Sequence, residues 1–180
     1  MLKKLYELKK LHEKKGKKGF SMIELIIVIA IMAILIALIG TQLIPYLEKS
    51  RRGKDLNTLD ACLTNFQSAI AEAEGKTDAL IADGIANLDD FKQTSGPSVK
   101  SAYESIAGDA YKTDAGITAT FKSKAASGGT VQFGMLDDGR CFVFVKTTDA
   151  DTEGLVVSSS YSGPIKECTD TAVKTAIAAS

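Results

Sequence analysis

Apolar positions along the chain fall into three regimes. From Phe20 to Ile39 they are nearly continuous, with 18 of 20 residues apolar and only Ser21 and Glu24 interrupting. About 20 such residues are what a helix needs to cross ~30 Å of hydrocarbon, so the pattern predicts a membrane-spanning helix. After Pro45 the apolar residues thin to Leu56, Leu59, Leu63, Phe66, Ile70 and Ala73, at steps of three and four. That spacing draws one stripe along an otherwise polar helix, which Gly75 should stop. Unbroken from Phe20 to Glu74, the helix would measure ~80 Å at 1.5 Å per residue. A coiled-coil stalk is the alternative reading of the stripe, although the heptads are few.

The third regime is the body beyond the helix. Residues 76–116 read as a variable connector with short helices at Ala79 to Ala82, at Ile85 to Phe91 and at Ser98 to Ile106. The last follows Pro97 and carries Val99, Ala102, Tyr103 and Ile106 at helical spacing. Residues 117–180 change character. Ile117 to Lys122, Thr130 to Met135, Cys141 to Thr147 and Leu155 to Ser160 are rich in β-branched and aromatic residues, and Leu136-Asp137-Asp138-Gly139-Arg140 joins the middle pair as a hairpin would. An antiparallel sheet of three or four strands is expected, its apolar face laid on the helix stripe. Thr169 or Asp170 should cap a final helix with Val173 and Ile177 one turn apart. The fold class is α+β.

Charge gives the chain a direction. Residues 1–19 hold eight Lys and two Glu, which leaves 14 basic and 20 acidic residues in 20–180. Lysines flanking an apolar span stay cytoplasmic under the positive-inside bias, so everything after Gly40 is expected outside the cytoplasm. An acidic body whose only basic cluster is Arg51, Arg52 and Lys54 argues against nucleic acid as the main partner. The one histidine, His12, lies in the front segment, so the rest of the chain has no imidazole for base catalysis or metal binding. No cofactor and no enzymatic activity are expected. A cleavable secretory signal fits poorly, because its apolar core is shorter and Leu38-Ile39-Gly40-Thr41-Gln42 offers no small-x-small site.

Two features do not belong to a bland anchor. Glu24 places a carboxylate inside the apolar run, where a central acid costs ~2.5 to 3.5 kcal/mol and one near the edge costs less. At Lys17-Lys18-Gly19-Phe20, charge stops and apolarity begins within two residues. A cut after Gly19 would create an amine at Phe20, one helical turn from Glu24 and able to neutralise it.

The run Lys18-Gly19-Phe20-Ser21-Met22-Ile23-Glu24-Leu25 resembles the class III signal of type IV pilins and pseudopilins. The resemblance covers roughly residues 14–75 and implies a division of the chain. Residues 1–19 would be a cytoplasmic leader, 20–45 the transmembrane and filament-core helix, 46–75 its amphipathic half, and 76–180 a globular head. It implies that a prepilin peptidase cuts between Gly19 and Phe20 and that Phe20 is N-methylated. It further implies that Glu24 pairs with the Phe20 amine of a neighbouring subunit. The partners would be copies of the chain in a helical filament, the assembly machinery in the membrane, and membrane lipid before assembly. The protein would then pass from the cytoplasmic membrane to a cell-surface filament of the kind that serves adhesion and motility. A pseudopilin of a secretion or DNA-uptake machine, and a monomeric anchored binding domain, remain as other readings. The family often has glycine and proline where this chain has Ala33 and Thr41, so any loosening of the helix is expected around Gly40 to Pro45 instead.

Cys62, Cys141 and Cys168 lie in the extracytoplasmic part, where disulfides persist. The resemblance implies Cys141 bonded to Cys168, stapling the last strands to the C-terminal segment. Cys62, one turn from Leu59 and Phe66, reads as a free buried thiol or as a rival partner for either. No spacing supports zinc. Asp149, Asp151 and Glu153 before Gly154 look like the opening of a calcium loop, but position 12 is Ser160, and a solvated loop between strands is the simpler reading.

Overall fold

A computed structural model describes residues 19–73, 84–88 and 99–180. The expected turn at Ala79 to Ala82 and the stop at Gly75 lie outside the described residues. The chain divides into two compact units, residues 1–44 and 45–180, and helix α1 (Met22–Glu72) contributes to both.

In the first unit α1 is apolar on all sides. The described residues contain one helix long and apolar enough to cross a membrane, and no residue from 19 to 44 is buried. Thr41 satisfies its hydroxyl within the helix, donating to the Leu38 carbonyl at 3.0 Å. Pro45 sits inside α1, where it removes one helical N–H.

The second unit is a sheet covered on both faces. Among the described residues five strands run antiparallel in chain order: β1 (Ile85–Ala86), β2 (Thr130–Met135), β3 (Cys141–Lys146), β4 (Gly154–Ser158) and β5 (Ser162–Pro164). Side chains alternate across a sheet, so register parity assigns each residue to a face. Val131, Phe133, Cys141, Val143, Val145, Leu155 and Val157 share one core with Leu59, Cys62, Leu63, Phe66 and Ala69 of α1. Phe142, Phe144 and Val156 point the other way, into a core shared with Ile165, Cys168, Val173 and Ile177. The continuous apolar run Cys141-Phe-Val-Phe-Val145 reflects this double burial.

The helix side is anchored by aromatic rings. Phe133 lies 5.2 Å from Phe66 and 5.6 Å from Tyr103, the latter edge-on. Tyr103 comes from α2 (Val99–Ile106), which buries Val99, Ala102 and Tyr103 at the expected spacing. On the far side α4 (Thr171–Ala179) begins at Asp170, whose carboxylate accepts from the Val173 N–H. Gly134 is opposite Phe142, and a Cβ there would run into the Phe142 ring.

Three expectations need correction. Ile117 to Lys122 is not a strand: Asp114–Thr120 forms helix α3, followed by a loop. The alternation Ile-Thr-Ala-Thr-Phe imitates a strand, but Thr113 caps the helix through the Gly116 N–H at 3.0 Å and Asp114 favours its first turn. Of the turn expected at Ile85 to Phe91, Ile85–Ala86 is edge strand β1, Leu88 is helical and residues 89–91 lie outside the described residues, so the connector supplies part of the sheet. The sheet also has more strands than expected and is not one-sided, because α4 covers its second face.

Candidate functional site

Ser21, Ile23 and Glu24 define the start of α1. Ser21 precedes the first helical residue, and its Oγ accepts from the Ile23 N–H at 3.3 Å. Glu24 reaches back so that its Oε2 accepts from the Ser21 N–H at 2.9 Å. This reciprocal arrangement is a capping box, which satisfies backbone donors that a helix N-terminus otherwise leaves open. The carboxylate also lies where the helix dipole favours negative charge. Ser21 was not singled out by sequence reasoning, although Ser-x-x-Glu is the signal that finds it.

Gly19 and Phe20 precede the cap in exposed chain outside the helix, and Phe20 is 89% exposed. A Cβ built on Gly19 meets nothing within 4 Å. Folding therefore does not demand glycine there. Phe20, Ser21 and Glu24 are brought to one helix end, exposed together, and the apolar surface that follows has no partner within its unit.

Cys62 and Cys141 lie on one side of the sheet and Cys168 on the other. All three are buried free thiols, and the Cys141–Cys168 bond implied by the resemblance is not formed in the structure. Cys141 shares the α1-side core with Cys62, whereas Cys168 belongs to the core under α4. Burial pushes the Cys62 thiol up to about 11. Burial also raises the Cys141 thiol above its ordinary value.

The loop holding Asp149, Asp151 and Glu153 is closed by its own protein groups. Asp149 Oδ2 accepts from the Thr152 hydroxyl at 2.6 Å, and Lys166 donates from Nζ to the Ala150 carbonyl and from its backbone N–H to the Thr152 carbonyl. Glu153 has a φ of 58° and Gly154 one of 121°, where a Cβ would collide with the Val145 carbonyl oxygen. Among the described residues no three His, Cys, Asp or Glu side chains converge as metal ligands.

Two polar clusters that sequence reasoning missed hold the second unit together. Asp55, 2% exposed, accepts from the Lys122 N–H at 3.1 and 3.2 Å and from the Ser123 N–H at 2.8 Å. Its signal was a carboxylate four residues before Leu59, on the apolar stripe. Arg140 links Asp138 (2.7 Å) to Asp170 (2.6 Å), and Ser160 donates to the same Asp170 oxygen at 2.7 Å. The Ser160 hydroxyl, the Val173 N–H and the Arg140 guanidinium together hold the Asp170 carboxyl below the usual range.

An exposed apolar helix with a capped acidic start, in a chain that also carries a two-core α+β unit, fits a membrane-anchored protein. Residues 14–40 match the family model described as the prokaryotic N-terminal methylation motif. That motif is the class III signal peptide of type IV pilins and pseudopilins, and with it go processing by a prepilin peptidase and assembly into multi-subunit filaments. The match ends at Gly40, so it speaks for the signal and the apolar run. No curated protein and no solved structure matches the chain.

Proposed function

We propose that the chain is a prepilin, cut between Gly19 and Phe20 and methylated on Phe20, whose mature form polymerises through the apolar part of α1 into an extracellular type IV pilus. The observation that carries this reading is the helix surface from Leu25 to Gly40, apolar and exposed throughout, preceded by an accessible Glu24. Exposed apolar area on that scale calls for lipid, for other copies, or for each in turn. Before assembly the basic leader would hold the N-terminus on the cytoplasmic side of the membrane with the head outside. In the filament Glu24 would pair with a neighbour's Phe20 amine, since an unpaired buried ion costs several kcal/mol. The head serves as the filament's outer surface, a structural role that needs no catalytic group.

Substitutions at Glu24 separate its two roles. Gln preserves the capping hydrogen bond and removes the charge, whereas Val removes both. Both variants should be cleaved and inserted normally yet give few sheared surface filaments, and Ser21→Ala should assemble close to wild type. Wild-type filament yield from Glu24→Gln, with no wild-type subunit present, would eliminate the charge pairing. Processing has its own test, because Gly19→Leu should accumulate uncut protein in the membrane. Normal cleavage of that variant would count against the signal. Filament length after shearing distinguishes a pilus from the short polymer of a pseudopilin.

A further inference from the structure

Six of the 14 basic residues beyond Gly19 gather at one place in the second unit. Lys49, Arg51, Arg52 and Lys54 occupy successive turns of α1. Lys122 and Lys124 join them because their backbone N–H groups are held by the carboxylates that bracket this segment, Lys122 by Asp55 and Lys124 by Glu48 at 2.6 Å. Glu48 and Asp55 are seven residues apart, on one helix face, so the loop lies along the turns that carry the four cations. Those carboxylates are occupied with backbone donors. Among the described residues none of the six cations has an ion-pair partner. Five of them are exposed, and the Arg52 Nε is buried with no hydrogen-bond partner.

The position of this cluster is unfavourable unless it binds something. Lys and Arg close to the translocated end of an apolar span oppose the positive-inside bias. They begin five residues after Ile44, a stretch of chain that reaches at most ~17 Å even fully extended. Headgroups occupy that zone, long basic side chains snorkel into it, and an unpaired guanidinium fork fits phosphate. The rest of the second unit is acidic, so the collar is a local charge and not part of a general basic surface.

We propose that Lys49, Arg51, Arg52, Lys54, Lys122 and Lys124 form a collar that binds anionic phospholipid headgroups and holds the unassembled head against the bilayer. This rests on the membrane-anchored reading. Assembly would then exchange lipid phosphate for protein at the collar, as it exchanges lipid tails for helices along the apolar run.

The test uses the full chain reconstituted into vesicles of phosphatidylcholine alone or with one third phosphatidylglycerol. A brief pulse of amine-reactive ester is followed by mass spectrometry of each lysine. Lys49, Lys54, Lys122 and Lys124 should react roughly fivefold more slowly in the anionic vesicles, matching the affinity of one basic residue at such a surface. About 1 M salt should restore their reactivity, and Lys146 and Lys174 should be unaffected. In the triple variant Lys49→Gln, Arg51→Gln, Lys54→Gln, all at exposed positions, the protection of Lys122 and Lys124 should largely disappear. Equal reactivity in both vesicles overturns the inference. Protection in both vesicles that rises with protein density overturns it in favour of a second copy as the occupant. Release of the chain from both vesicles by alkaline carbonate would instead overturn the membrane reading, and this inference with it.

Discussion

Asp55→Ala isolates the contact that fastens the loop after α3 to the long helix. The carboxylate is almost fully buried and receives the N–H groups of Lys122 and Ser123, residues 67 and 68 positions away. Alanine leaves two donors without acceptors, each worth ~1 to 3 kcal/mol when stranded, and it removes charge-assisted bonds that are stronger than neutral ones. Against this stands relief from burying a carboxylate, and the loop, whose Lys122 is exposed, can relax toward water. The net loss should be ~3 kcal/mol, which for a head of this size lowers Tm by about 10 °C. Asn keeps one acceptor but turns a donor toward the N–H groups, so Asp55→Asn should lose about half as much. Thermal unfolding followed by near-UV circular dichroism in detergent reads the change, with Asp60→Ala as an exposed control expected within ~0.5 kcal/mol of wild type. An Asp55→Ala Tm within a degree of wild type would show that the loop is held by its apolar residues, Phe121, Ala125 and Ala126, and not by the carboxylate.

Two further perturbations test other parts of the head. The Asp170 carboxyl is held below its unfolded value, so its contribution is present above the ordinary carboxylate pKa and is lost as pH falls through the depressed folded value. Hydrogen exchange of α4 should therefore accelerate selectively below about pH 4, and Asp170→Asn should remove that acid dependence. An unchanged profile in the variant would place the acid-sensitive group elsewhere. Cys62, wholly buried and with its thiol raised to about 11, should resist maleimide at neutral pH and label only when the head unfolds in urea. Native labelling at the rate of a free thiol would mean that α1 separates from the sheet.

Legibility followed the range over which each signal acts. The long helix, the β2–β3 hairpin, α2 and the Asp170-capped α4 were readable because periodicity, turn residues and caps are local. β1 and β5 are two and three residues long and carry no pattern of their own; they exist because β2 and β4 offer edges. At Ile117 to Lys122 two local signals competed, and the Thr113 cap won over alternation. The placement of Cys141 was latent in parity with Val143 and Val145. That of Cys168 was not, because it depends on the side of the sheet to which the chain crosses after β5. Asp55 was hidden for another reason: its donors are distant in sequence, and only the fold shows why a carboxylate stands at the head of an apolar stripe.

The start of α1 resolves a tension in the sequence. A carboxylate within an apolar run looks like a pure cost until its partner is seen, and here the two polar residues that break the run, Ser21 and Glu24, satisfy each other's helix end. Thr41, further along, is satisfied by the Leu38 carbonyl. The surface between them therefore offers neighbours only shape and apolar area, which attract but discriminate poorly between registers one turn apart. Glu24 is the group that can change partner. Its bond to the Ser21 N–H is exposed and contributes about 1 kcal/mol, so surrendering it costs little, while an amine met in a water-poor filament core would be held far more strongly. The cap also keeps the carboxylate at the helix end beside residue 20, near the amine that the proposed cleavage would create, so the geometry that starts the helix is the one from which the proposed register-setting pair would form.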